Sequence, residues 1–409
     1  MEDRLTRRTV LRLAGGTGAA LAAGGWLTAC SSDEAEVSGA SATTSGSSAS
    51  STTAATISST TTTTAPPTWE GYGALQAPNA DGLMLPAGFT SRIVATTGQA
   101  VGSTGYTWPS NPDGAATFAR DGGGWIHVVN HESLNPDGGA SRIEFDAAGV
   151  IVSAGRVLGG TLLNCAGGAT PWATWLSCEE RPQGLVHECD PTGVIDAAAR
   201  PALGAFKHEA VAVDPDRKRL YLTEDESDGA LYRFTPDAYP DLSAGTLEVM
   251  TGPMAGVGWA EVPDPTGNTA PTRQQVPATT RFNGGEGICY HDGAVFFTTK
   301  GNNCVWRLDI EADTVELVYN ARDHDPAELT GVDNVTVTPT GDLYVAEDGG
   351  TMQIVMLSEG LIQPVVELPG LGESEITGPS FTPDGTRLYF SSQRLPGATY
   401  EVTGPWRFA

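Results

Sequence analysis

The residues best suited to chemistry in this chain sit at the ends of short apolar runs. At Trp175-Leu-Ser-Cys-Glu-Glu-Arg181 a strand-like stretch ends in a thiol and two adjacent carboxylates. Acids there contribute little to packing, while a soft thiolate beside hard oxygens suits a transition metal next to a calcium ion. Similar ends recur at Asn130-His131-Glu132, Glu224-Asp225, Lys300 and Glu347-Asp348, and Asn164, Glu209, Glu286 and Asn334 open neighbouring runs. Carboxylates crowded together raise one another's pKa, so their convergence implies bound cations. Cys178, Glu209 and Glu286 are the leading metal-ligand candidates. His131 and His208 read equally well as core histidines or as supports of the site.

Convergence requires elements that bring distant residues together, and a repeat supplies them. Its clearest copy is His208-Glu-Ala-Val-Ala-Val-Asp-Pro-Asp, then Arg219-Leu-Tyr-Leu-Thr-Glu-Asp225, then Gly229-Ala-Leu-Tyr-Arg-Phe-Thr-Pro236. Val211, Val213, Leu220 and Leu222 alternate at a period of two, as half-buried strands do. Six such units are readable, with second-strand ends at Glu132, Glu179, Glu224, Lys300, Glu347 and about Ser392. The spacing is even except for a Pro/Gly-rich insertion at about 237–280. Strand-turn-strand units at this period predict an all-β, six-bladed β-propeller, with Leu85–Ala95 as a spare strand that joins the last blade and closes the ring. In a propeller the start of strand one and the end of strand two emerge on one face, so the acids would collect around one channel mouth.

The chain has 409 residues and a formal net charge of −26, which excludes a nucleic-acid partner. Residues 1–29 read as an export signal: Thr6-Arg-Arg-Thr-Val-Leu11 is a twin-arginine pattern, and Leu27-Thr-Ala-Cys30 resembles a lipobox that would lipidate Cys30. Residues 30–68, mostly Ser, Thr and Ala, read as a disordered tether, and 69–409 as the propeller domain. Five cysteines remain after Cys30, an odd number, and no pairing follows from the sequence.

The twin-arginine start, Leu85-Pro-Ala-Gly-Phe89, Val-Asn-His-Glu132, Ser-Cys-Glu-Glu180, Lys-His-Glu-Ala-Val-Ala-Val-Asp214 and Glu286-Gly together resemble the PhoX family of secreted bacterial alkaline phosphatases, from about Ala77 to the end. The resemblance implies a six-bladed propeller that hydrolyses phosphate monoesters with Ca²⁺ and a thiolate-ligated Fe³⁺ pair in its channel. Cys178 would then be the iron ligand. Glu179, Glu209, Glu286 and Glu347 would be metal carboxylates, and Asn130 and Glu132 would face phosphate or calcium. One position departs from the family. Its phosphatase members carry an arginine two residues before the Glu-Gly acid, where this chain has Gly284, so Lys207, Arg281 or Lys300 would have to meet the phosphate instead. No serine nucleophile motif is present, which favours metal-activated water. The expected protein is an exported monomer that acts on a small phosphate ester and meets the outer side of the cell membrane only through Cys30. The competing readings are a calcium-dependent lactonase-like propeller and a non-catalytic, metal-stabilised binding propeller.

Overall fold

The computed structural model describes residues 69–394 and 396–408. Residues 1–29, read as an export signal, and 30–68, read as a tether beginning at Cys30, lie outside the described residues. Within them the chain forms six antiparallel sheets. Blade 1 consists of Pro112–Ala119, Trp125–His131, Gly139–Phe145 and Ile151–Gly159. Blade 2 consists of Asn164–Ala169, Trp175–Glu179, Val186–Cys189 and Ala198–Ala199. Blade 3 runs from His208–Asp214 and Arg219–Glu224 through Leu231–Ala238 and Asp241–Thr251. Blade 4 contains Gly285–His291, Ala294–Thr299, Cys304–Asp309 and Thr314–Asn320. Blade 5 contains Val332–Val337, Leu343–Glu347, Gln353–Ser358 and Leu361–Glu367. Blade 6 joins Ile376–Phe381, Arg387–Ser392 and Ala398–Thr403 to Thr90–Thr96, from before blade 1.

That last pairing, with Thr90 opposite Thr403 and Thr96 opposite Ala398, closes the ring with the predicted spare strand. The six first strands contact one another in a closed circuit, each touching the next and the last touching the first. The insertion read at 237–280 is partly blade: it supplies the fourth strand of blade 3 and an added fifth, Gly258–Glu261.

Period-two alternation builds the core. Each interface between adjacent blades holds one apolar cluster, six among the described residues. In blade 5, Leu343 and Val345 pack toward blade 4, while Tyr344 and Ala346 pack toward blade 6. The Asp-rich turns close hairpins through their own side chains. Asp214 accepts the backbone N–H groups of Asp216 and Arg217, and Asp384 accepts that of Thr386. Among the described residues no helix is long and apolar enough to cross a membrane.

Candidate metal centre at the channel mouth

Every first strand carries a register shift near its start, between Pro112 and Ala115, Asn164 and Gly167, His208 and Val211, Gly285 and Ile288, Val332 and Val335, and Thr377 and Ser380. Such a bulge re-aims a side chain out of the sheet. In blades 1 to 5 the displaced positions hold Asp113, Cys165, Glu209, Glu286 and Asp333. Each is followed by a small residue or asparagine, because the inner strands crowd there. A Cβ on Gly114 would lie 2.5 Å from Ala166 Cα, and one on Gly287 would lie 2.5 Å from Val335 N.

The second strands supply the other half of the mouth, and their parity decides which residue reaches it. Side chains one before the strand end face the next blade. Asn130 Nδ2 donates to the carbonyls of Cys165 (3.2 Å) and Ala166 (2.8 Å), and Thr223 and Thr298 donate to those of Glu286 and Asp333. The terminal residues bond within their own blade. The residues after them, Glu132, Glu180, Asp225, Lys300, Asp348 and Gln393, turn toward the channel. Ligand atoms of four groups lie within 4.8 Å of one another: Asp113/Glu132/Cys165, Cys165/Glu180/Glu209, Glu209/Glu286/Asp333 and Asp333/Asp348/Glu375. Shared members link them into one arc of eight carboxylates and a thiol.

Of the residues singled out from sequence, Glu132, Glu180, Glu209, Glu286, Lys300 and Asp348 come together here. Cys178 does not. It occupies the position facing blade 3, and its thiol is buried among Leu176, Val186, Val211 and Leu222. Burial, and then the charge of Glu209, push that thiol far above its usual pKa. The thiol of the arc is Cys165, 3.1 Å from Glu209 Oε1 and 3.7 Å from Asp113 Oδ2. Glu179 also points away, one residue short of Glu180. Burial would raise its pKa, but His187, Arg181 and the Leu162 N–H hold it down to about 2. Glu347 is likewise one residue short of Asp348. Its oxygens accept from Thr330 N, Thr351 Oγ1 and Gln353 N, at 2.8, 2.9 and 3.1 Å. Asn130 is not at the mouth either. Its Oδ1 accepts from Trp175 and Ser177, so it pins the backbone that presents Cys165.

His131 and His208 are core histidines, held neutral by burial at pKa values of about 3 and about 4. Sequence reasoning missed Asp113, Cys165, Asp333 and Glu375 as members of the mouth. For the first three a signal existed: an acid or thiol immediately before Gly, Ala or Asn at the start of a repeat unit.

Two lysines lie among the acids. Lys207 Nζ is 3.3 Å from Glu180 Oε1 and 2.7 Å from the Asp225 carbonyl. Lys300 Nζ is 3.1 Å from Glu286 Oε1, 2.9 Å from Asp333 Oδ2 and 3.1 Å from Asp348 Oδ2. Burial raises the Glu286 pKa well above the usual carboxylate range, Lys300 opposes this, and Asp225, Asp333 and Glu209 add to it. Gln393 Nε2 donates to Asp113 Oδ2 (2.6 Å) and Glu132 Oε2 (3.0 Å). The set of hard oxygens with one soft sulfur therefore fits hard cations beside a softer metal.

A family model described as alkaline phosphatase PhoX matches residues 147–397, more than half of the chain. The structure of Pseudomonas fluorescens PhoX in complex with vanadate, a transition state analogue, superposes with a TM-score of 0.69 at 18% identity, covering 81% of this chain and 97% of that one. A structural genomics protein of unknown function from Bacteroides thetaiotaomicron gives a TM-score of 0.50 at 11% identity, covering 77% of this chain and 76% of that one. No curated protein sequence matches the chain.

Proposed function

The chain belongs to the PhoX alkaline phosphatase family, and on that premise we propose that it hydrolyses phosphate monoesters at a calcium- and iron-containing centre in the channel mouth. The observation that carries this reading is the convergence of eight carboxylates and one thiol from all six blades on one arc. So many buried acids ionise together only when cations share the space.

Asp113, Glu132, Cys165, Glu180 and Glu209 would hold the metals, the softer one at Cys165, while Lys300 lies among Glu286, Asp333 and Asp348. Ions bound there act as Lewis acids toward phosphoryl oxygens and lower the pKa of water. The chain's own residues fix the geometry. Gln393 orients the Asp113 and Glu132 carboxylates, and Asn130 holds the carbonyl of Cys165. Gly284, at φ +70°, offers no guanidinium, and Arg281 is turned to the Asp228 carbonyl at 2.9 Å. Neither position therefore supplies a guanidinium to a phosphate dianion at the mouth. The vanadate held by the solved relative is in keeping with phosphoryl chemistry.

The test is release of p-nitrophenol from its phosphate ester at alkaline pH by metal-replete protein, with loss of turnover in Cys165→Ala and Glu286→Gln. Absence of turnover on a panel of mono- and diesters would overturn the proposal. Gly284 favours one competing reading, a calcium-dependent lactonase-like propeller, which lactone turnover insensitive to phosphate would establish. The residues before the propeller support a further part of the proposal: twin-arginine export through Arg7-Arg8 and lipid anchoring at Cys30.

A further inference from the structure

Basic side chains are built into the arc. Lys207 lies 3.3 Å from Glu180 and 3.4 Å from Asp225, and Arg394 lies 2.9 Å from Glu375. Lys300 sits among Glu286, Asp333 and Asp348. Three carboxylate oxygens from two blades approach one ammonium within 2.9 to 3.1 Å. An ammonium has three N–H donors, so these contacts engage its full capacity. Anionic oxygens closing on one point are also the surroundings that a calcium ion selects.

The backbone anchors the lysine beside Gly284, whose carbonyl accepts from Lys300 N. At φ +70° this position favours glycine, and a Cβ there would be in ordinary contact with Lys300 Cβ, at 3.9 Å.

We propose that Lys300 is a built-in substitute for a divalent cation, occupying the Glu286–Asp333–Asp348 position and confining metal loading to the rest of the arc. This rests on the reading of the mouth as a metal centre. With its donors committed to carboxylates, Lys300 does not serve as the phosphate clamp that the sequence suggested.

The test uses full-length protein stripped with chelator and titrated with calcium by calorimetry, with bound calcium counted by elemental analysis. Lys300→Met, which keeps the stem and removes the charge, takes up one more calcium per chain than the parent, and Lys300→Arg takes up the same number. Equal counts for the parent and Lys300→Met overturn the proposal while leaving the metal centre intact. No calcium in any of the three overturns the metal reading itself. Should Lys300→Met fold only with calcium present, thermal unfolding decides: its Tm must climb more steeply with calcium than the parent's, and parallel slopes refute the assignment.

Discussion

Cys165 and Cys178 are both fully buried thiols, and replacing each with alanine separates a ligand from a packing residue. Cys178→Ala removes one sulfur from an apolar cluster between blades 2 and 3. The lost transfer energy is about 1 kcal/mol and the small residual cavity adds less than that, so the expected cost is about 1–2 kcal/mol. In a propeller of this size that lowers Tm by about 1–3 °C, with metal content and turnover retained. Cys165→Ala removes the only sulfur in the arc, leaving Asp113 and Glu209 with an apolar neighbour where a soft donor stood. Loss of a metal–thiolate bond worth about 4 kcal/mol weakens the softer metal by about 10³-fold. The assay pairs elemental analysis of each purified variant with p-nitrophenyl phosphate turnover and a thermal melt. Cys165→Ala should lack the transition metal, and Cys178→Ala should carry the parental amount. The opposite pattern, with Cys178→Ala metal-free and Cys165→Ala loaded, would refute the parity argument that places one thiol on the channel and the other between blades.

Asn130→Ala strips donors from the buried Cys165 and Ala166 carbonyls and the acceptor from Trp175 and Ser177. At about 1–3 kcal/mol for each group left unsatisfied, it should cost more than about 3 kcal/mol in urea unfolding and weaken metal binding by about 10–100-fold; unchanged affinity would show that Cys165 needs no such support. Burial holds His127 at about 3 against an ordinary 6.5, so the unfolded chain takes up that proton first. Its contribution is complete well above pH 6.5 and is lost as pH falls toward 3, by about 2 kcal/mol between pH 6.5 and 4.5. His127→Phe should flatten the stability–pH curve by that amount, and an identical slope in the variant would disprove it. Cys30→Ala should move the protein from the membrane fraction to the soluble exported fraction in cell fractionation; a wholly soluble parent would remove the lipid anchor.

The architecture was legible in the sequence because strand alternation and Asp-Gly-type turns are local signals, and six repeats of one local pattern permit few arrangements. The blade count, the closing strand before blade 1 and the gathering of acids at one face all follow from that repetition. Glu209 and Glu286 were identifiable because an acid followed by Ala or Gly opens their units directly. What sequence alone could not resolve was parity. A strand end offers three consecutive residues, and side chains alternate between faces, so an error of one position exchanges the channel for an interface between blades. That single step separates Glu179 from Glu180, Glu347 from Asp348 and Asn164 from Cys165. The bulges that set the step are fixed by the crowding of six inner strands around one axis, as the close approach of Gly114 to Ala166 and of Gly287 to Val335 shows. Residue types and repeat spacing therefore determined that this chain gathers acids and a thiol at a channel mouth. Only the packing of the blades against one another decided which acids, and which of the buried thiols, reach it.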